Sequence, residues 1–179
     1  MDMRPYICLP VVRAVNRPDL PVDLAAFYAT NEGVGLESEP NQTVRLCQLD
    51  EVSWINGWDD LKYGIADPVP EGWEEFIALR IGMGITFEEI VYVIKAPSCP
   101  PGSIFVIGSS VCGPGGDGTG DVEGTLVLGA SLRDWLNHLE RWGGGEPVIM
   151  NTRELTEMEL ESLREYYLGL NPRMNIAST

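Results

Sequence analysis

The stretch FIALRIGMGITFEEIVYVIKAPSCPPGSIFVIGS, residues 76–109, decides the fold of this chain. It holds three runs rich in β-branched and other apolar residues, at 76–83, 89–96 and 103–109, a composition typical of β-strands. A cluster of three prolines separates the last two runs. Further on, GTLVLG at 124–129 predicts a fourth strand of the same block. Because the runs are almost continuously apolar, we expect these strands to be buried on both faces, or covered by a helix on one.

Two helices are predicted after these strands. Ser131 is a favoured capping residue, and apolar side chains recur with helical spacing over 131–142. Thr156 and Glu159 form the capping box of a last helix at about 156–169. Strands followed by helices are typical of an α+β fold.

Shorter elements precede this block. Residues 1–18 predict an extended lead-in, DLPVDLAAFYATNEG at 19–33 a helix, and TVRLCQL at 43–49 a strand. Acidic loops with three tryptophans follow at 50–75. The sequence thus predicts one α+β domain over 1–179, with a mixed or antiparallel sheet of about four to six strands and helices packed on it.

The charge of the chain narrows the class of partner. Twelve Lys and Arg residues stand against 27 Asp and Glu residues, which gives a net charge of −15. Phosphate backbones repel such a surface, so we expect no direct binding to nucleic acid. A basic protein would be attracted to it and steered into contact.

Nothing in the sequence predicts a membrane span, a leader or a disulfide framework. The longest apolar runs are far shorter than the roughly 20 residues that cross a bilayer. The first residues, MDMRPYICLPVV, lack the cationic region and the uninterrupted apolar region of a signal peptide. The four cysteines are far apart and include no CxxC pair. We therefore expect a cytoplasmic protein with reduced thiols and no membrane partner.

The loop GPGGDGTGDVEG, residues 113–124, has the composition of an ion-binding loop. Every second residue carries a side-chain oxygen, as calcium ligands do: Asp117, Thr119, Asp121 and Glu123. The EF-hand pattern is not met, because its sixth position is Val122, where glycine is needed. No GK[ST] follows to make a phosphate cradle. We expect a connection between strands whose acids stay in water, with no metal and no cofactor.

Catalytic motifs are lacking. The single histidine, His138, flanks the apolar stripe of the helix predicted at 131–142, and we expect a partly exposed surface histidine rather than a general base. No serine or cysteine lies in a nucleophile elbow, and no His/Cys metal spacing occurs. Carboxylate chemistry in a cleft stays open as an alternative, because acids are abundant.

Tryptophans interleaved with acids make residues 50–75 the best candidate for binding. Aromatic anchors ringed by carboxylates suit a cationic protein surface. The alternative is that the tryptophans complete the core and the acids form its solvated rim. The candidate partner-binding residues, including the acids of the glycine-rich loop, are Trp54, Trp58, Asp59, Asp60, Trp73, Glu74, Glu75, Asp117, Asp121 and Glu123.

Three stretches together resemble the SUKH superfamily of bacterial immunity proteins and fungal cell-wall-assembly regulators. LPVDLAAFYATNEGVGL at 20–36 is similar to the family's early helix, and VRLCQLDEV at 44–52 to its following short strand. The region from IFVIGSS to LNHLE, residues 104–140, is similar to its strand, G-D loop, strand and helix. The resemblance covers residues 20–142, so the helix at about 156–169 is an addition.

The resemblance implies a noncatalytic domain that binds another protein. Many bacterial members neutralise a toxin delivered by a neighbouring cell, often a nuclease or another basic effector. The expected partner is thus a basic toxin domain covered by an acidic face, without a cofactor. An intracellular scaffold or regulator of the same fold is the alternative, and a carboxylate enzyme or small-ligand binder is a further one.

Overall fold

The computed structural model describes one sheet with helices on it. The described residues are 7–9, 17–31, 33–38, 42–61, 72–83, 89–97, 99–108, 125–142 and 156–171. In chain order the elements are β1 (Ile7–Leu9), α1 (Val22–Thr30), β2 (Gly33–Ser38), β3 (Gln42–Leu46), β4 (Ser53–Asn56), a 3₁₀ turn (Trp58–Asp60), β5 (Ile77–Met83), β6 (Glu89–Lys95), β7 (Ile104–Ile107), β8 (Thr125–Gly129), α2 (Leu132–Trp142) and α3 (Glu157–Leu170).

All the strand pairs of the described sheet are antiparallel. The strand order is β1-β2-β3-β5-β6-β7-β8, and β4 also pairs with β5. β3 and β4 lie end to end along β5, with Leu46 opposite Gly82 and Ser53 opposite Arg80. Because β4 and β5 are antiparallel, Asn56 at the end of β4 lies opposite Ile77 at the start of β5.

The predicted α+β class is confirmed, and so is an antiparallel sheet with helices packed on it. The described strands number eight, against the four to six expected. The additional strands are short and local patterns did not reveal them: β1 lies in the predicted lead-in, β2 follows directly on the first helix, and β4 lies in the acidic loops. Each is defined by its pairing with a neighbour.

The helix side of the sheet carries the larger core. Leu24 and Tyr28 of α1, Trp135 of α2 and Tyr167 of α3 pack there with side chains from six strands or their flanks. α2 lies very close to the end of β8, since a Cβ added to Gly129 would be 2.7 Å from the Cβ of Trp135. Only glycine fits at this position, because any side chain would overlap with Trp135.

α2 begins as the sequence predicts. The Asp134 N–H donates to Ser131 Oγ at 3.1 Å, which confirms Ser131 as the cap. α3 confirms the predicted last helix, while the side chain of Glu159, the other half of the predicted capping box, lies outside the described residues. Across the described residues, no helix combines the length and the apolar character that a bilayer crossing needs.

His138 is buried, which corrects the prediction of a partly exposed histidine. Only 5% of it is exposed. Its Nε2 is 2.8 Å from the Tyr167 hydroxyl, and its ring stacks on that of Tyr166 with 4.1 Å between centroids. The reason is the docking of α3 against α2, a long-range contact that the helical spacing of α2 alone does not reveal.

The second face of the sheet is covered by an aromatic cluster: Trp58, Trp73, Phe76 and Phe105. Trp73 lies 5.1 Å from Trp58, 5.3 Å from Phe76 and 5.9 Å from Phe105, measured between ring centroids. The residues of β7 are all buried. Burial of the central strands on both faces, expected from their continuous apolar runs, is confirmed.

Three tyrosine hydroxyls are fixed inside this fold. Tyr28 donates to the Cys47 carbonyl at 2.9 Å, Tyr92 to Asp23 Oδ1 at 2.8 Å, and Tyr166 to the Leu128 carbonyl at 2.9 Å. Burial above all raises the pKa of each phenol above its ordinary value of about 10. The folded state therefore prefers these phenols protonated.

We expect stability to be lost in alkali. Because the folded pKa values are raised, the contribution of these phenols is complete below about pH 10 and declines as pH rises above it. The buried Tyr28 alone accounts for up to about 1.4 kcal/mol per pH unit there. Urea unfolding between about pH 9 and about pH 11, followed with phenolate absorbance, measures this decline. The variant Tyr28→Phe should show a shallower decline; an unchanged slope would contradict the assignment.

Candidate protein-binding surface

Two acidic pairs that are far apart in sequence lie side by side. Asp59 and Asp60 belong to the 3₁₀ turn after β4, and Glu74 and Glu75 to the turn before β5. These two strands are antiparallel neighbours, so the turns meet at one end of the sheet. All four residues are exposed. We call these four residues the acidic surface.

Local geometry explains why the turns meet. The Gly57 N–H donates to the Phe76 carbonyl at 2.8 Å, which joins the start of the first turn to the end of the second. Gly57 has φ +108° and Gly72 φ +88°, values that favour glycine. Each turn thus has a glycine that allows the reversal and a tryptophan that enters the core beside two outward acids.

Trp58 and Trp73 are core residues, which corrects their prediction as partner contacts. They are 6% and 3% exposed and pack on each other in the aromatic cluster. Trp58 Nε1 is buried and finds no hydrogen-bond partner among the described residues, so this indole stabilises by packing alone. The alternative drawn from the sequence, that these tryptophans complete the core beneath an acidic rim, is the one observed.

Trp54 is exposed but lies elsewhere. It is 38% exposed, and its neighbour Ile55 packs in the aromatic cluster, so Trp54 faces the helix side of the sheet. Its Nε1 donates to Asp19 Oδ2 at 3.0 Å, and Arg17 donates to the same carboxylate at 2.9 Å. The Arg17 guanidinium first, and then the indole, hold the pKa of Asp19 well below its usual range. Trp54 is therefore separate from the acidic surface.

Two contacts order the acidic surface. Asp60 Oδ2 accepts the Asn56 N–H at 2.8 Å and so blocks an outward donor of β4. Lys95 forms an ion pair with Glu75, and its hydrogen bond and charge lower the pKa of that carboxyl. The Glu75 carboxylate therefore keeps its charge further into the acid range than an ordinary glutamate, with an ammonium beside it.

A hollow of about 420 Å³ adjoins the acidic surface. The main chain and side chains that line it combine carboxylates, an ammonium and apolar groups: Gly72, Glu74, Glu75, Lys95, Ala96 and Pro97. Carboxylates at such a rim accept hydrogen bonds from guanidinium or ammonium groups. The hollow can therefore receive a cationic side chain whose stem lies against the proline.

A partly buried arginine, which the sequence did not indicate as functional, fixes the acidic surface to the sheet. Arg80 Nε donates to Glu89 Oε2 at 2.8 Å, Nη1 to Ser53 Oγ at 3.0 Å and Nη2 to the Asp60 carbonyl at 3.3 Å. One side chain thus joins three strands and the 3₁₀ turn. The available signal in the sequence was one arginine within the apolar run at 76–83 and a glutamate at the start of the run at 89–96, both predicted to be strands.

The remaining predicted contacts, Asp117, Asp121 and Glu123, lie outside the described residues. Within the part of the chain that the structure describes, no group of three or more His, Cys, Asp or Glu residues is placed to hold a metal ion. No family model, curated protein or solved structure matches the chain. The SUKH resemblance therefore stays a prediction of the sequence.

Proposed function

We propose that this chain is a noncatalytic protein-binding domain that neutralises a cognate bacterial toxin by covering its basic cleft with the acidic surface. The sequence resemblance to SUKH immunity proteins and the net charge of −15 support this function. The observation that carries it is the meeting of Asp59, Asp60, Glu74 and Glu75 on one end of the sheet.

The acidic surface is preorganised for such a contact. Its turns are anchored by Trp58 and Trp73 beneath and by Arg80 beside them, so little backbone freedom is lost on binding. Its carboxylates steer a basic partner into contact and select against acidic ones. The hollow beside Glu74 and Glu75 gives a cationic side chain of the partner a place to lie.

The mechanism is exclusion rather than chemistry. A toxin that acts on nucleic acid holds phosphates with lysine and arginine side chains. Four carboxylates laid over such a cleft would satisfy those cations and leave no path for the substrate. No group of the acidic surface needs to change its protonation or form a bond.

Neutralising the acidic surface should slow binding. In the variant Asp59→Asn, Asp60→Asn, Glu74→Gln, Glu75→Gln, we expect association with the basic toxin domain encoded nearest to this gene to slow about tenfold or more at low salt. Asp60→Asn keeps an oxygen for the Asn56 N–H, so the turn is preserved. Association rates measured by surface plasmon resonance over a series of salt concentrations test this.

A charge-matched control separates a surface from bulk charge. Asp50→Asn, Glu157→Gln, Glu161→Gln, Glu165→Gln removes as many exposed acids away from the acidic surface. This control should bind nearly as the wild type does. Equal slowing in both variants would reject the acidic surface as the contact, and no binding to any toxin encoded nearby would reject the immunity role. A different partner captured through the same surface would favour the scaffold alternative.

A further inference from the structure

Within the described residues, the outer edge of β8 is paired by a side chain and not by a strand. β8 is the last strand in the order of the described sheet, and β7 occupies its other side. The Val127 N–H donates to Asn171 Oδ1 at 2.8 Å, and Asn171 Nδ2 donates back to the Val127 carbonyl at 3.0 Å. An antiparallel neighbour strand exchanges the same two bonds with a residue opposite it. The side-chain amide of Asn171, a residue that is only 2% exposed, therefore makes the two hydrogen bonds that a neighbouring strand would make to Val127.

Tyr166 of α3 binds the next backbone group of β8, the Leu128 carbonyl. The pairing with β7 shifts between Ile104 and Phe105, so Leu128 has no partner residue in that register. Its carbonyl accepts the Tyr166 hydroxyl at 2.9 Å. Asn171 Nδ2 also donates to the Tyr167 carbonyl at 3.0 Å, which ties this cap to the end of α3. Three backbone groups of β8 thus depend on α3 and the residue after it.

Uncovered, this edge would be well suited to strand pairing. β8 reads TLVLG and contains neither a charge nor a proline, the features by which natural edge strands avoid pairing with other chains. Its ladder with β7 holds the backbone extended and includes no residue of α3. The protection of this edge therefore rests on α3.

We propose that α3 is a removable cover of a strand-pairing edge, and that the uncovered β8 pairs antiparallel with β8 of a second copy of this chain. A two-fold axis at Val127 would let each Val127 exchange its N–H and carbonyl bonds with the other, which replaces both Asn171 bonds one for one. The same short apolar strand on each copy makes the contact self-complementary.

The dependence of binding on salt distinguishes pairing through β8 from binding through the acidic surface. Each copy carries a net charge of −15, so two copies repel each other and screening by salt strengthens their pairing. Binding of a basic partner to the acidic surface weakens with salt for the same reason. The two proposals therefore rest on different residues and respond in opposite directions.

The full-length variant Asn171→Ala tests the cover. We expect a dimer whose apparent dissociation constant is at least about tenfold below that of the wild type, and which tightens with salt. Sedimentation velocity over a range of protein and salt concentrations measures it. Hydrogen exchange locates it: the Val127 amide should exchange fast in dilute variant and be protected again when the variant dimerises. Glu165→Ala, on the exposed side of α3, is the matched control and should behave as the wild type.

A milder variant keeps the test decisive. Tyr166→Phe removes the hydroxyl's bonds to the Leu128 carbonyl and to Asp134 Oδ2 and leaves both Asn171 bonds to Val127 in place. It keeps the ring that stacks on His138, so it should fold and shift in the same direction by a smaller factor. The proposal is overturned if the Val127 amide exchanges fast while the variant stays monomeric at every protein and salt concentration. It is equally overturned if Asn171→Ala leaves both the exchange of Val127 and the oligomeric state unchanged. Should Asn171→Ala not fold, the same two measurements on Tyr166→Phe decide.

Discussion

Replacing Trp73 by alanine is expected to lower the free energy of unfolding by about 3–5 kcal/mol. Trp73 is 3% exposed and lies within 6 Å of three aromatic rings, so its removal leaves a cavity that these rings cannot close. The loss includes both the apolar area returned to water and the contacts missing around the cavity. Urea denaturation followed by circular dichroism measures it.

Trp54→Ala is the matched control, since it removes the same side chain from an exposed position on β4. We expect a loss of about 1 kcal/mol or less, because the indole is already partly in water and makes one side-chain hydrogen bond. Similar losses in the two variants would show that the aromatic cluster does not support the second face of the sheet. Because Trp73 anchors the turn that carries Glu74 and Glu75, Trp73→Ala should also slow the binding of a basic partner, and Trp54→Ala should not.

Local sequence pattern predicted those strands and helices whose own residues are typical of the element that they form. The runs that became β5 to β8 are apolar and bounded by glycine or proline, and α2 has both a cap and a stripe, so their type follows from nearby residues. β4 is different: SWIN is four residues long, and only its pairing with β5 makes it a strand. β2 likewise depends on β3 beside it.

The candidate site was predictable in its acids and not in its tryptophans. Trp-Asp-Asp at 58–60 and Trp-Glu-Glu at 73–75 repeat one arrangement, an aromatic residue followed by two acids. Composition allows either an exposed anchor or a buried one, and only the packing of the two turns on each other decides for burial. His138 shows the same limit, because its burial comes from α3, whose position depends on contacts with β8 and α2.

Removing the carboxylate of Glu89 is expected to cost about 3–5 kcal/mol of folding free energy. Arg80 and Glu89 have side chains that are 12% and 2% exposed, and they meet at 2.8 Å beneath the 3₁₀ turn. Glu89→Ala leaves the guanidinium in a site that is largely closed to water and has lost its opposite charge. Urea denaturation measures the loss, and Lys95→Ala, which breaks the exposed pair with Glu75, should cost much less because water screens that pair.

The double variant Arg80→Met, Glu89→Leu separates the cost of losing the ion pair from the cost of leaving one charge without its partner. Replacing both charges with apolar side chains of similar size removes the uncompensated cation, so much of the lost stability should return. The bond from Arg80 to the Asp60 carbonyl does not return. The 3₁₀ turn then keeps the packing of Trp58 and its hydrogen bonds with Asn56 and Phe76. We therefore expect the double variant to be stable yet to bind a basic partner more slowly than the wild type. If Glu89→Ala cost no more than Lys95→Ala, the buried pair would not be what holds the acidic surface on the sheet.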